Sequence, residues 1–169
     1  MLSRLRHLYY KIKYLYFTDC RVKINKNAFI HYGATFIIRD DPSATIEIEA
    51  GVYIGRYVNV HTNSKIKIGK DSVLSDYVFL STLAHGMEPS AGPILSQPDV
   101  DKGAIVLGEN VFLGFGSKVL PGIELGKWTI VGAGAVVTKS FPEGFVMIAG
   151  NPARVIKRYD TNAEKWIAL

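Results

Sequence analysis

The sequence predicts a mainly β chain wound as a parallel β-helix. Three observations predict it: aliphatic residues recur every six positions, glycine often follows them, and small or β-branched residues tend to sit four places further on. A period of six fits neither an amphipathic helix, with apolar spacings of three and four, nor alternating strands, with a spacing of two. It fits a coil of three short strands joined by tight turns. Every sixth side chain then points into a prism-shaped interior and stacks on its equivalent one coil above. Stacked strands lie about 4.8 Å apart, so five or six coils make a prism roughly 25–30 Å tall.

The elements follow in order. Residues 1–17 read as an amphipathic helix, with Leu2, Leu5, Leu8, Tyr9, Ile12, Leu15 and Tyr16 on a broad face. Arg4, Arg6, Lys11 and Lys13 interrupt the apolar residues, so no signal-peptide core is present. This helix either caps the open strand edges of the first coil or docks its basic face on an anionic membrane surface. The coils span 22–141, beginning weakly at Ile24, Ile30 and Phe36. They become regular through Ile48, Ile54 and Val60, then Ile68, Leu74 and Leu80. After a break the repeat resumes at Leu107, Leu113 and Val119 and continues through Leu125, Val131 and Val137. The break, 84–103, holds Pro89, Pro93, Pro98, Gly86, Gly92 and Gly103 and cannot continue the coil. A long excursion from a regular scaffold points to function. A smaller insertion follows Phe36, at Arg39 to Ala44. Residues 142–169 form a C-terminal extension, in which Asp160 to Leu169 are expected to fold back as a short helix.

At 169 residues the chain fits one domain. Its 20 Lys and Arg exceed its 15 Asp and Glu by a margin that suits an anionic ligand or membrane surface. That margin is too small, and too spread out, to point to nucleic acid. The single Cys20 excludes an internal disulfide framework and a four-cysteine zinc site, and is compatible with a cytoplasmic location, with peripheral attachment at the inner face of the membrane as the variant. No apolar stretch is long enough to cross a bilayer.

The segment IVLGENVFLGFGSKVLPGIELGKWTIVGAGAVVTKSFPEGFVMIAGNPARVIK, Ile105 to Lys157, resembles the C-terminal signature of hexapeptide-repeat O-acetyltransferases. That family includes galactoside and maltose acetyltransferases and the sugar acetyltransferases of surface-polysaccharide pathways. The strings GAGAVVTK and AGNPARVI carry the resemblance best, and the repeat covers most of the chain from about Ile24. The resemblance implies a left-handed β-helix, a homotrimer, and acetyl-CoA lying in the groove between neighbouring prisms.

Acetyl transfer to a hydroxyl needs a base, and histidine suits that task at neutral pH. His85, in LSTLAHGMEP at the root of the excursion, matches the position of the family's catalytic histidine. Many members carry an acidic residue just before it, whereas here Thr82, Leu83 and Ala84 fill that stretch. Glu88, a backbone carbonyl or a residue of a neighbouring subunit are then the candidates for orienting the imidazole. Asn63 matches an asparagine that holds the acceptor sugar in the family, although a turn-stabilising role fits it as well. His61 shares that coil and is placed with it. For the acyl donor, the resemblance assigns Phe112 to the pantetheine arm and Gly114 and Ala133 to close backbone approach. Thr138 and Lys139 match the family's TK pair, and Arg154 with Lys157 or Arg158 is assigned to the CoA phosphates.

The resulting expectation is direct acetyl transfer from acetyl-CoA to a sugar hydroxyl of a glycan, with His85 as general base and no metal. Transfer to the amine of an amino sugar is a variation on it. A zinc carbonic anhydrase of the same repeat type would need two histidines close together in sequence, and His7, His31, His61 and His85 are all far apart. A non-catalytic scaffold would leave His85, the excursion and the C-terminal signature without a role.

Overall fold

The computed structural model describes residues 19–169, so the helix expected over 1–17 lies outside the described residues. The first coil holds β1 (Val22–Ile24), β2 (Phe29–Ile30) and β3 (Thr35–Ile38). The second holds β4 (Thr45–Ile48), β5 (Tyr53–Ile54) and β6 (Asn59–Thr62), and the third β7 (Lys65–Ile68), β8 (Val73–Leu74) and β9 (Phe79–Ser81). The excursion follows, with short 3-10 turns at Pro89–Ala91 and Ile94–Ser96. The coils then resume as β10 (Ile105–Leu107), β11 (Phe112–Leu113) and β12 (Lys118–Val119), followed by β13 (Glu124–Leu125), β14 (Ile130–Val131) and β15 (Val136–Val137). A sixth, partial coil contributes a bridge at Phe141 and β16 (Val146–Ala149), before β17 (Arg154–Asp160) and β18 (Lys165–Ala168).

Strands of equal rank pair in parallel into three faces: face A (β1-β4-β7-β10-β13), face B (β2-β5-β8-β11-β14-β16) and face C (β3-β6-β9-β12-β15). The register puts the hexad residues in columns, one per face. They are Ile24–Ile48–Ile68–Leu107–Leu125 on A, Ile30–Ile54–Leu74–Leu113–Val131–Ile148 on B, and Phe36–Val60–Leu80–Val119–Val137 on C. These columns are the core, and the hexad residues from Ile48 to Val137 are all buried. The small-residue rule holds too: Val52, Val58, Ser72, Val78, Val111, Ser117, Thr129 and Ala135 are buried where each turn enters a strand. Gly114 shows why glycine follows the aliphatic residue. A Cβ there would stand 2.6 Å from the Ala133 backbone nitrogen of the next coil, so any side chain would force the coils apart.

The C-terminus corrects one expectation. Asp160 to Leu169 form no helix: β17 runs antiparallel to β16, and β18 returns antiparallel to β17. The last coil leaves an open strand edge, and pairing it satisfies backbone groups that a helix would leave exposed. Ile156, Tyr159, Trp166 and Ile167 suit a pleated, half-buried surface, and the Asp160 carboxylate accepts from the Asn162 and Ala163 N–H groups to close the hairpin. No described helix is long and apolar enough to cross a membrane.

Candidate active site

The excursion leaves the prism at the corner between faces C and A and returns to it, so its two stalks lie side by side. They pair: Gly86 N–H donates to the Pro98 carbonyl at 3.0 Å and Val100 N–H to the Ala84 carbonyl at 2.7 Å, with His85 opposite Asp99. Asp99 Oδ1 lies 3.1 Å from His85 Nδ1. A carboxylate only accepts, so this contact places the imidazole hydrogen on Nδ1 and leaves the Nε2 lone pair to take a proton. The His85 side chain is 47% exposed and that of Asp99 25%, so the imidazole stands open while its partner is more sheltered.

Gln97 is the buried anchor of this hairpin. Its Oε1 accepts from Glu88 N–H at 3.0 Å, and its Nε2 donates to the Glu88 and Gly92 carbonyls at 2.9 and 2.8 Å. A Cβ on Gly86 would sit 2.8 Å from Gln97 Oε1, so a side chain there would displace the Gln97 amide. Glu88, one candidate for orienting His85, is itself exposed; the residue standing against the imidazole is Asp99.

One coil below, on the same corner, β6 brings His61 and Asn63 near the root. Buried Thr62 and Thr82 share a hydroxyl hydrogen bond of 2.8 Å, and Thr82 Oγ1 also accepts from Asn63 N–H at 2.9 Å. Asn63 Oδ1 accepts from Asp41 N–H at 3.0 Å, so its carbonyl is engaged in holding the 39–44 insertion. His61 Nε2 contacts Thr35 Oγ1 at 3.3 Å and packs edge-on against Phe79. Burial, and then the charge of Arg39, lower the His61 pKa below its ordinary value, which favours the neutral ring.

The residues assigned to the acyl donor fall on other sides of the same prism. Phe112, 40% exposed, stands on the outside of face B in register with Ile130, Met147 and Lys157. Gly114 and Ala133 lie at the corner between faces B and C, where Gly114 is filled by coil stacking. Thr138 and exposed Lys139 follow β15 at the corner between C and A, two coils beyond the root of the excursion, with the Lys139 ammonium 5.4 Å from the Phe141 ring. Arg154 and Arg158 are exposed on β17, Arg158 contacting Glu143 at 3.4 Å and Arg154 donating to the Ala153 carbonyl. One chain therefore places His85 and the residues expected to meet the pantetheine arm on different sides. Among the described residues no group of three or more His, Cys, Asp or Glu is arranged to hold a metal ion.

Across 169 aligned residues, 90% of this chain and 86% of the relative, the sequence is 31% identical to WbbJ of Escherichia coli (strain K12), named as a lipopolysaccharide biosynthesis O-acetyl transferase. The chain belongs to the hexapeptide-repeat acetyltransferase family. The family profile described as bacterial transferase hexapeptide (six repeats) matches residues 104–139, the coils after the excursion. WcaF of the same organism, named as a colanic acid biosynthesis acetyltransferase, is 37% identical over 105 residues, covering 62% of this chain and 54% of WcaF. The crystal structure of AntD, an N-acyltransferase from Bacillus cereus, superposes with a TM-score of 0.65 over 96% of this chain and 91% of AntD. At 18% identity that likeness establishes the shared fold.

In this hexapeptide-repeat acetyltransferase, Asp99 and Gln97 are the site residues that sequence reasoning missed. Neither carried a sequence signal, because the register in which the two stalks pair is not set by distance from the ends of the excursion.

Proposed function

We propose that the chain transfers an acetyl group from acetyl-CoA to a sugar hydroxyl during surface-polysaccharide biosynthesis, directly and without a covalent acyl-enzyme. The His85–Asp99 pair carries this reading. Nε2 takes the hydroxyl proton as the sugar oxygen attacks the thioester carbonyl, and Asp99 stabilises the imidazolium that forms. When the C–S bond breaks, the sulfur leaves as the CoA thiol with the proton held on Nε2. The exposed free thiol, Cys20, precedes the first coil and lies far in sequence from His85, which favours direct transfer.

The acyl donor fits between two prisms. His85 at the C–A corner of one chain and Phe112, Met147 and Lys157 on face B of the next can line one groove, which a homotrimer repeats three times. The apolar outer column of face B suits the pantetheine arm, and Lys157, Arg154 and Arg158 at its end suit the phosphates. The acceptor enters over the excursion, near His61. We place the reaction in the cytoplasm, with the basic 1–17 segment as the element for peripheral attachment at the inner face of the membrane.

Calorimetric titration with acetyl-CoA tests this reading. Binding with three equivalent sites per trimer, weakened by Lys157→Ala, is the expected result; a wild-type protein that binds no acetyl-CoA overturns it.

A further inference from the structure

At the far end of the prism the C-terminal hairpin closes a cavity of about 310 Å³ lined by Trp128, Phe145, Tyr159 and Trp166. Nothing in the acetyl-transfer reading uses it. Trp128 and Phe145 stand on the corner between faces A and B in successive coils, Tyr159 lies on β17, and Trp166 is its partner across β18. Phe145 and Tyr159 stack with centroids 6.1 Å apart, while Tyr159 and Trp166 meet edge to face at 5.3 Å and 67°.

From the second coil on, this corner adopts positive φ, and the earlier of those coils fill the position with Gly51, Asp71 and Asn110, residue types that tolerate the left-handed region. The last two coils place Trp128 at φ 58° and Phe145 at φ 50°. Bulky residues are outliers in that conformation, and burial in the core does not compensate, because Trp128 is 48% exposed.

The chemistry of the cavity narrows its occupant. Among the described residues none of Trp128 Nε1, Trp166 Nε1 or Tyr159 Oη has a protein hydrogen-bond partner, so the lining residues carry three unpaired polar groups beside four aromatic rings. The Lys127 ammonium already sits 5.3 Å from the Phe145 centroid, which disfavours a cationic ligand through like charge. Tyr159 and Trp166 meet at an angle and give no parallel-walled slot for a flat base. A sugar ring presents C–H faces to aromatic rings and hydroxyls to edge donors, and the cavity lies near the lower end of ligand-site volumes, about 300 Å³. From the root of the excursion the cavity is two coils further along, about 10 Å of axial rise. Between them on face A lie Val106 of β10 and the exposed Glu124 of β13.

We propose that this aromatic cavity is a second glycan subsite, which holds one sugar of a polymeric acceptor while another sugar of the same chain meets His85. The proposal rests on the glycan-acetylation reading above. It predicts an enzyme that favours polymer over monosaccharide.

The test uses the full chain on an array of bacterial surface polysaccharides, followed by acetylation kinetics with a polysaccharide it binds and with the monosaccharides released from it. Trp166→Ala and Trp128→Ala are expected to lose at least about tenfold in array binding and to raise KM for polymer by a similar factor. Their kcat with monosaccharide, their acetyl-CoA binding and their oligomeric mass stay as in the wild type, and His85→Ala keeps array binding. Absence of binding to any arrayed polysaccharide, or equal binding by the tryptophan variants, overturns the subsite. A change of oligomeric mass in those variants also overturns it and makes the cavity a subunit contact. Pocket-dependent binding without acetyl transfer would instead overturn the catalytic reading and leave the subsite standing.

Discussion

Replacing Asp99 with Asn keeps the shape of the His85 partner and removes its charge. The carboxylate oxygen stands 3.1 Å from His85 Nδ1. A hydrogen bond to a charged group is worth about 1.5–3 kcal/mol. With both side chains partly exposed, solvent screening lowers that to about 1–2 kcal/mol of imidazolium stabilisation. At 1.36 kcal/mol per tenfold in rate, kcat should fall roughly 5- to 30-fold. KM for acetyl-CoA should hold, because Asp99 lies away from the residues placed against the donor. Release of free CoA thiol gives the assay, read after the exposed Cys20 thiol has been blocked. A kcat within about twofold of wild type would remove Asp99 as the partner of the base. A loss as large as that of His85→Ala would make Asp99 itself indispensable to proton transfer, which the geometry does not require.

Leu113 is fully buried between Leu74 and Val131 in the face B column, so Leu113→Ala should cost about 2–5 kcal/mol in chemical denaturation. Backbone ladders on both sides hold the coils apart and limit collapse into the cavity. Thr82→Val strips the hydroxyl that serves both Thr62 and Asn63 N–H and should cost about 1–3 kcal/mol; a neutral result would show that water replaces it. The lowered His61 pKa means that the unfolded chain takes up its proton first as pH falls through the ordinary value of 6.5. Its contribution is therefore present above that pH and lost below it. Between about pH 7.5 and about pH 5.5 the wild type should lose more stability than His61→Gln, and parallel losses in urea unfolding would refute that assignment.

The interior was legible in the sequence because the coil repeats one environment. Ile54, Leu74, Leu113 and Val131 occupy equivalent positions, so each repetition reinforces the same reading. The excursion was legible as a break in that period, and His85 by its place at the break. Long-range partners were not. Asp99 meets His85 only because two stalks pair, and Gln97 is buried only because the tip folds back on it. The local composition of 160–169, with Ala163, Glu164, Lys165 and Ala168, favours a helix, yet the open edge left by β16 recruits the segment as strands. Asn63 carried two readings in sequence, and its bond to Asp41 N–H is a long-range contact that no local pattern announces. The aromatic cavity gave no local signal, since its four rings come from two corners and a hairpin.

The most direct test of the catalytic account is the acetyl-transfer rate of His85→Ala beside wild type, in preparations matched for thermal stability and acetyl-CoA binding. The expected result is a kcat lower by at least about a hundredfold with binding retained. Near-normal turnover by His85→Ala would contradict the account, because a group other than His85 would then take the proton.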